Sequence, residues 1–145
     1  MGNTLKVVGV AAALAVAMTP SASARYYAYG TLQAYEGTRL VAEGKGSHGV
    51  DFGKDAIGGH IGSRDPRPGG SPARGRIWYQ YTGGGLSPWY NRDGGNNYTS
   101  SWVDKASYGD LNTSFDTATT YGQICQVDNL TPDDCKKSDN RNHSW

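Results

Sequence analysis

From Thr113 to Val127 the chain alternates without a break. Phe115, Thr117, Thr119, Tyr121, Gln123, Cys125 and Val127 fall on one side, and Ser114, Asp116, Ala118, Thr120, Gly122, Ile124 and Gln126 on the other. Successive side chains of an extended backbone point to opposite faces, so period two over such a run is a strand signature. No stretch beyond residue 24 has helical periodicity. Further strands are expected at 26–35, 38–43, 76–82 and 98–105. Turns are expected at Glu36-Gly37, Gly83-Gly84-Gly85, Asp93-Gly94-Gly95 and Tyr108-Gly109-Asp110. Short strands rich in Tyr, Thr, Val and Trp between glycine turns predict an all-β domain. The expected form is a small antiparallel β-sandwich or open barrel, with an immunoglobulin-like sandwich among the options.

Residues 44–75 interrupt this pattern with ten glycines and three prolines. They read either as a long functional Gly-rich loop or as a stretch hiding weak strands, in which case Val50-Asp51-Phe52 and Ala56-Ile57 are fragments of an edge strand and Gly62–Gly75 is the loop proper. The polar segment 136–145 reads as a frayed tail.

The N-terminus reads as an address. Lys6 precedes an apolar run from Val7 to Met18, followed by Pro20 and the small residues Ala22-Ser23-Ala24. The run is shorter than the roughly 20 residues of a membrane span, and the order matches a secretory signal peptide cleaved between Ala24 and Arg25. The expected product is a single secreted domain, 25–145, located outside the cell. Taking 24 residues from 145 leaves 121, with 13 basic and 13 acidic groups. That balance excludes the basic face of a dedicated nucleic-acid binder. All 16 aromatic residues lie beyond the leader while aliphatic side chains are scarce, so the interior must be built largely of Tyr and Trp.

An exported chain with two cysteines is expected to pair them, here Cys125 with Cys135. Closing so short a ring is worth about 2.7 kcal/mol in the loop-entropy model. Within it, Thr131-Pro132-Asp133-Asp134 reads as a helix N-cap and first turn.

No complete catalytic set appears. Asp55-Ala56-Ile57-Gly58-Gly59-His60 followed by Gly69-Gly70 resembles the core of secreted His-metal-finger nucleases. That resemblance implies His60 as general base, with Asp55 nearby and Asn91, or Asn96 or Asn97, as metal ligand. Asp55 stands five residues before His60 where that family has three, and no helix follows. His48 with Asp51 and Asp55 matches no recognised ligand spacing, and neither metal nor cofactor is expected. The aromatic groups Trp78-Tyr79-Gln80-Tyr81 and Trp89-Tyr90 flank the triple glycine, and neighbours on a strand cannot face the same way. One of each adjacent pair therefore cannot be core, so an exposed aromatic surface is expected, with Trp78, Tyr79, Tyr81, Trp89 and Tyr90 as its candidates. Four Asn-x-Ser/Thr sequons read as chance.

The leader, the strand Gly122–Val127 and the turn Pro132-Asp133-Asp134-Cys135 together resemble small exported β-proteins of actinobacteria. By general type these include lactococcin-972-like bacteriocins and the immunoglobulin-like adaptor subunits of umbrella toxin particles. The sequence thus points to a secreted binding protein rather than an enzyme. Its expected partner is a protein or a cell-envelope glycan, within an antibacterial assembly as one setting. The alternatives are a nuclease toxin using His60 and a small bacteriocin-like toxin.

Overall fold

The computed structural model describes residues 24–128 and 134–145. The expected leader, residue 24 apart, and most of the expected helical turn at 131–134 lie outside them. The described residues form nine strands and no helix: β1 (Arg25–Glu36), β2 (Arg39–Asp51), β3 (Ala56–Arg64), β4 (Ala73–Thr82), β5 (Tyr90–Asn97), β6 (Val103–Asp110), β7 (Thr117–Gln126), β8 (Asp134–Lys137) and β9 (Arg141–Ser144). All pairings are antiparallel. One sheet runs β1-β2-β3-β6; the other runs β5-β4-β7, with β9 and β8 end to end along the far edge of β7, opposite its first and second halves. The chain changes sheet between β3 and β4, between β5 and β6, and again between β6 and β7. Two of these crossings link neighbouring strands of one sheet to neighbouring strands of the other: β3 leads to β4 and β6 to β7, with β3 beside β6 and β4 beside β7. The result is an open sandwich and not a closed barrel.

The Gly-rich stretch is not a loop. It forms most of β2, all of β3 and the start of β4, and the connection proper spans only 65–72. β2 and β3 are interior strands of their sheet, not the edge fragments that the sequence implied. The reason is steric. At Gly58 and Gly59 the backbone takes φ of 144° and 155°, and a Cβ there would lie 2.2 Å from the Ser107 carbonyl oxygen and 2.1 Å from that of Ser47. Only glycine permits this conformation.

Other glycines face the opposite sheet. A Cβ on Gly75 would come within 2.5 Å of Cγ2 of Ile61, and one on Gly94 within 2.8 Å of the same methyl. One on Gly122 would come within 2.5 Å of the Tyr29 ring, and one on Gly44 within 2.8 Å of Cβ of Ile124. Large side chains of one layer thus rest directly on the backbone of the other, which lets the layers close despite few aliphatics. Two apolar clusters result. Val50, Ile57, Tyr79, Tyr81, Leu111 and Ala118 make one, flanked by Phe52, Phe115 and Trp145; Ala34, Val41, Ala42, Ala73 and Ile124 make the other.

The strand expected at 113–127 begins at Thr117; Phe115 lies before it and stacks on Tyr81 at 5.2 Å. Its buried face is Ala118, Thr120, Gly122 and Ile124. Asp93-Gly94-Gly95, expected as a turn, is a bulge inside β5, where the register slips opposite Arg74–Arg76 and Gly95 takes φ 77°. The strand expected at 98–105 is displaced to β6, which also absorbs the turn expected at 108–110. The tail does not fray: β8 and β9 pair with β7, His143 is buried, and the Trp145 ring lies 5.6 Å from Phe52. The disulfide Cys125–Cys135 joins directly opposed residues of β7 and β8.

The Gly75→Ala substitution should lower the unfolding free energy by about 1–3 kcal/mol through overpacking against Ile61. Gly70→Ala, in the open connection with nothing within 4 Å, should be near neutral. Urea denaturation of the two variants checks this; equal effects would contradict the close interlayer contact.

Candidate functional site

β4 alternates strictly between buried Ala73, Gly75, Ile77, Tyr79 and Tyr81 and half-exposed Arg74, Arg76, Trp78, Gln80 and Thr82. The adjacent aromatics are therefore divided. Trp78 faces outward; Tyr79 and Tyr81, expected in the binding surface, are core residues exposed by 9% and 4%. Tyr90 is 43% exposed, yet its ring lies 5.6 Å from Tyr79 and 6.4 Å from Tyr81, at the rim of the interior.

On the outer face of the second sheet Trp78 stands directly between Asn91 of β5 and Tyr121 of β7. Its Nε1–H donates to Oε1 of Gln123 at 2.7 Å, which fixes the indole. Trp89, 40% exposed, sits 5.3 Å from the Tyr121 ring. The loop that delivers Trp89 is tied down by Ser87: its Oγ accepts the Tyr81 N–H at 2.8 Å, its N–H donates to the Tyr81 carbonyl at 3.1 Å, and its own carbonyl accepts from Gln80 Nε2 at 2.9 Å. The Lys137 ammonium lies 5.3 Å from the centre of the Tyr121 ring. Thr119 Oγ1 donates to Oδ1 of Asn142 at 2.7 Å. The face is thus three aromatic rings, Trp78, Trp89 and Tyr121, set among amides, hydroxyls, the Lys137 ammonium and Arg76, which stands opposite Gln123. Tyr121, Gln123 and Lys137 were not candidates from the sequence. Period two placed Tyr121 and Gln123 on one face, but nothing in the sequence set that face beside Trp78.

A second polar cluster lies inside the sandwich. His48 Nδ1 is 2.7 Å from Thr120 Oγ1, which is 2.8 Å from His143 Nε2, while His48 Nε2 meets Ser138 Oγ at 3.3 Å. His48 and His143 are each 2% exposed and Thr120 is fully buried. The rings of Tyr29 and Tyr27 lie 5.9 Å from His48 and 5.6 Å from His143. Burial, reinforced by the neighbouring His143 and Arg141, pushes His48 down to about 4; burial, with Arg25 nearby, pushes His143 down to about 4. Both imidazoles are therefore neutral at pH 7. Ser138 and His48 border an open cleft of about 380 Å³ together with Tyr27, Tyr29, Lys136 and Arg141. The chain of hydrogen bonds ties β9 to β2 and β7 through neutral groups, and at its outer end Ser138 Oγ also donates to the Asp139 carbonyl at 3.3 Å.

The residues of the nuclease reading are dispersed. His60 lies on the outer face of the first sheet, half exposed, with Nδ1 3.2 Å from Asp104 Oδ2. Asp55, at φ 48°, sits in the β2–β3 turn, five residues and roughly 16 Å away along the strand. Asn91 belongs to the other sheet. Gly58 and Gly59, part of the motif in sequence, serve the strand geometry described above. Among the described residues no group of three or more His, Cys, Asp or Glu is placed to hold a metal ion.

No protein-family model, curated protein or solved structure matches the chain.

Histidines whose folded pKa is depressed contribute stability that is present above their unfolded value near 6.5 and is lost as pH falls toward 4. The urea midpoint should therefore drop between pH 7.5 and pH 4.5, and His143→Gln should flatten that slope. A slope unchanged in the variant would contradict the neutral burial of His143.

Proposed function

We propose that the protein is a non-enzymatic binding module that works outside the cell and docks a glycan of the cell envelope on the outer face of the second sheet. The observation that carries this reading is the grouping of Trp78, Trp89 and Tyr121 on one open face, with Gln80, Asn91, Gln123, Asn142 and Lys137 around them. Sugar rings present apolar C–H faces that stack on indole and phenol rings, and hydroxyl edges that bond to amides and ammonium groups. An open face without an enclosing pocket suits an extended polymer better than a small molecule. Pre-set side chains reduce the entropy lost on docking, and here the Trp78–Gln123 bond and the Ser87 clasp supply that order.

The extracellular setting is supported by the leader-like N-terminus and by the disulfide between β7 and β8. Among the described residues no helix is long and apolar enough to cross a membrane.

Sedimentation of the purified 25–145 domain with insoluble peptidoglycan and wall polysaccharides tests the reading. Binding is expected, weakened tenfold or more by Trp78→Ala or Trp89→Ala and unaffected by His60→Ala. Loss of binding in the His60 variant alone, or cleavage of plasmid or RNA abolished by it, would transfer the function to the first sheet.

A further inference from the structure

The edge strand β1 has a feature that neither the fold nor the aromatic face requires. Between Arg25 and Glu36 it presents ten uncharged residues, four of them tyrosines, and only β2 pairs with it among the described residues. Most of it is solvent exposed, including Tyr27 at 37% and Tyr35 at 48%. A long uncharged edge of this kind is a template for strand addition.

The occupant is indicated by a bulge. Tyr29 pairs with Gly46 and Leu32 with Gly44, so β1 carries one extra residue at Gly30–Thr31. Up to Tyr29 the odd-numbered residues face the interior, where Tyr27 and Tyr29 lie against His143 and His48; from Leu32 the even-numbered ones do, Leu32 and Ala34 joining the apolar cluster. A regular strand laid along β1 meets three residues for its two at this point. A second β1 running antiparallel carries the same extra residue, and the mismatch cancels.

We propose that β1 pairs with β1 of a second copy about a two-fold axis passing between Gly30 and Thr31. Residues opposed in an antiparallel pair share a face, so the switch at the bulge demands that odd residues meet even ones, as this axis provides. Tyr26 then opposes Tyr35, Ala28 opposes Gln33, and Tyr29 opposes Leu32 of the second copy. Arg25 opposes Glu36 at both ends, which places opposite charges at each end of an otherwise uncharged seam. The interface is isologous and closed. The axis is normal to the sheet, so the first sheets join into one continuous layer and both second sheets lie on the same side of it. Two copies of the aromatic face then point the same way, a bivalent arrangement for an extended surface.

Light scattering coupled to gel filtration of the disulfide-intact 25–145 domain, over a concentration series, should show a monomer–dimer equilibrium. Under mild oxidation Ala28→Cys combined with Gln33→Cys should form a covalent dimer, while either change alone should not, because like positions lie roughly 16 Å apart along the seam. Arg25→Glu or Glu36→Arg should each weaken the dimer about three- to fivefold, and the combined swap should restore it. A monomer at every concentration would overturn the proposal. So would a dimer in which the single cysteine variants cross-link as readily as the double.

Discussion

Everything in this molecule depends on how closely the two sheets approach. Ile61 rests on the backbone at Gly75 and Gly94, Tyr29 on Gly122, and Ile124 on Gly44. A chain short of Leu, Ile and Val cannot fill a conventional interior layer with branched aliphatics. Here one bulky side chain meets bare backbone across the interface, so few large residues suffice to exclude water. The same glycines cost conformational entropy on folding, and the price is met by close contact and by the disulfide.

Close approach also explains where polarity is placed. Between the apolar clusters the layers are bridged by His48, Thr120 and His143, joined in a single chain of hydrogen bonds that continues to Ser138 and leaves only the buried Nδ1 of His143 without a partner among the described residues. Two of these residues come from opposite sheets, and the third from the last strand. The fastener therefore holds the tail to the sandwich at one end of β7, while Cys125–Cys135 holds β8 at the other. With β7 anchored along its length, Tyr121 and Gln123 are fixed beside Trp78, and the outer face is a rigid platform.

Much of this was legible in the residues. Strict alternation located β7 and the paired cysteines located its staple, while the rule of opposite faces required Trp78 and Tyr79 to part without saying which turned inward, so Tyr79 stands among the surface candidates. What escaped had physical causes. Glycine-rich strands lack the side chains from which period two is read, so β2 and β3 resembled a loop until the opposing carbonyls at Ser47 and Ser107 showed why glycine is required. β9 is four residues long with one buried side chain, His143, too little for a pattern. Asp93-Gly94-Gly95 has the composition of a turn because a bulge uses the same positive φ. The site was half visible for a related reason: Trp78 and Trp89 stand out, but Tyr121 joins them only through the register of β4 against β7.

Amide hydrogen exchange across residues 44–64 addresses the central claim most directly. If the glycine-rich segment is interior sheet closed against the opposite layer, its paired amides will exchange as slowly as those of β4 and β7, and Gly69, Gly70 and Ser71 of the open connection will exchange fast. Rapid exchange across 44–64, matching that of Gly69–Ser71, would contradict the account.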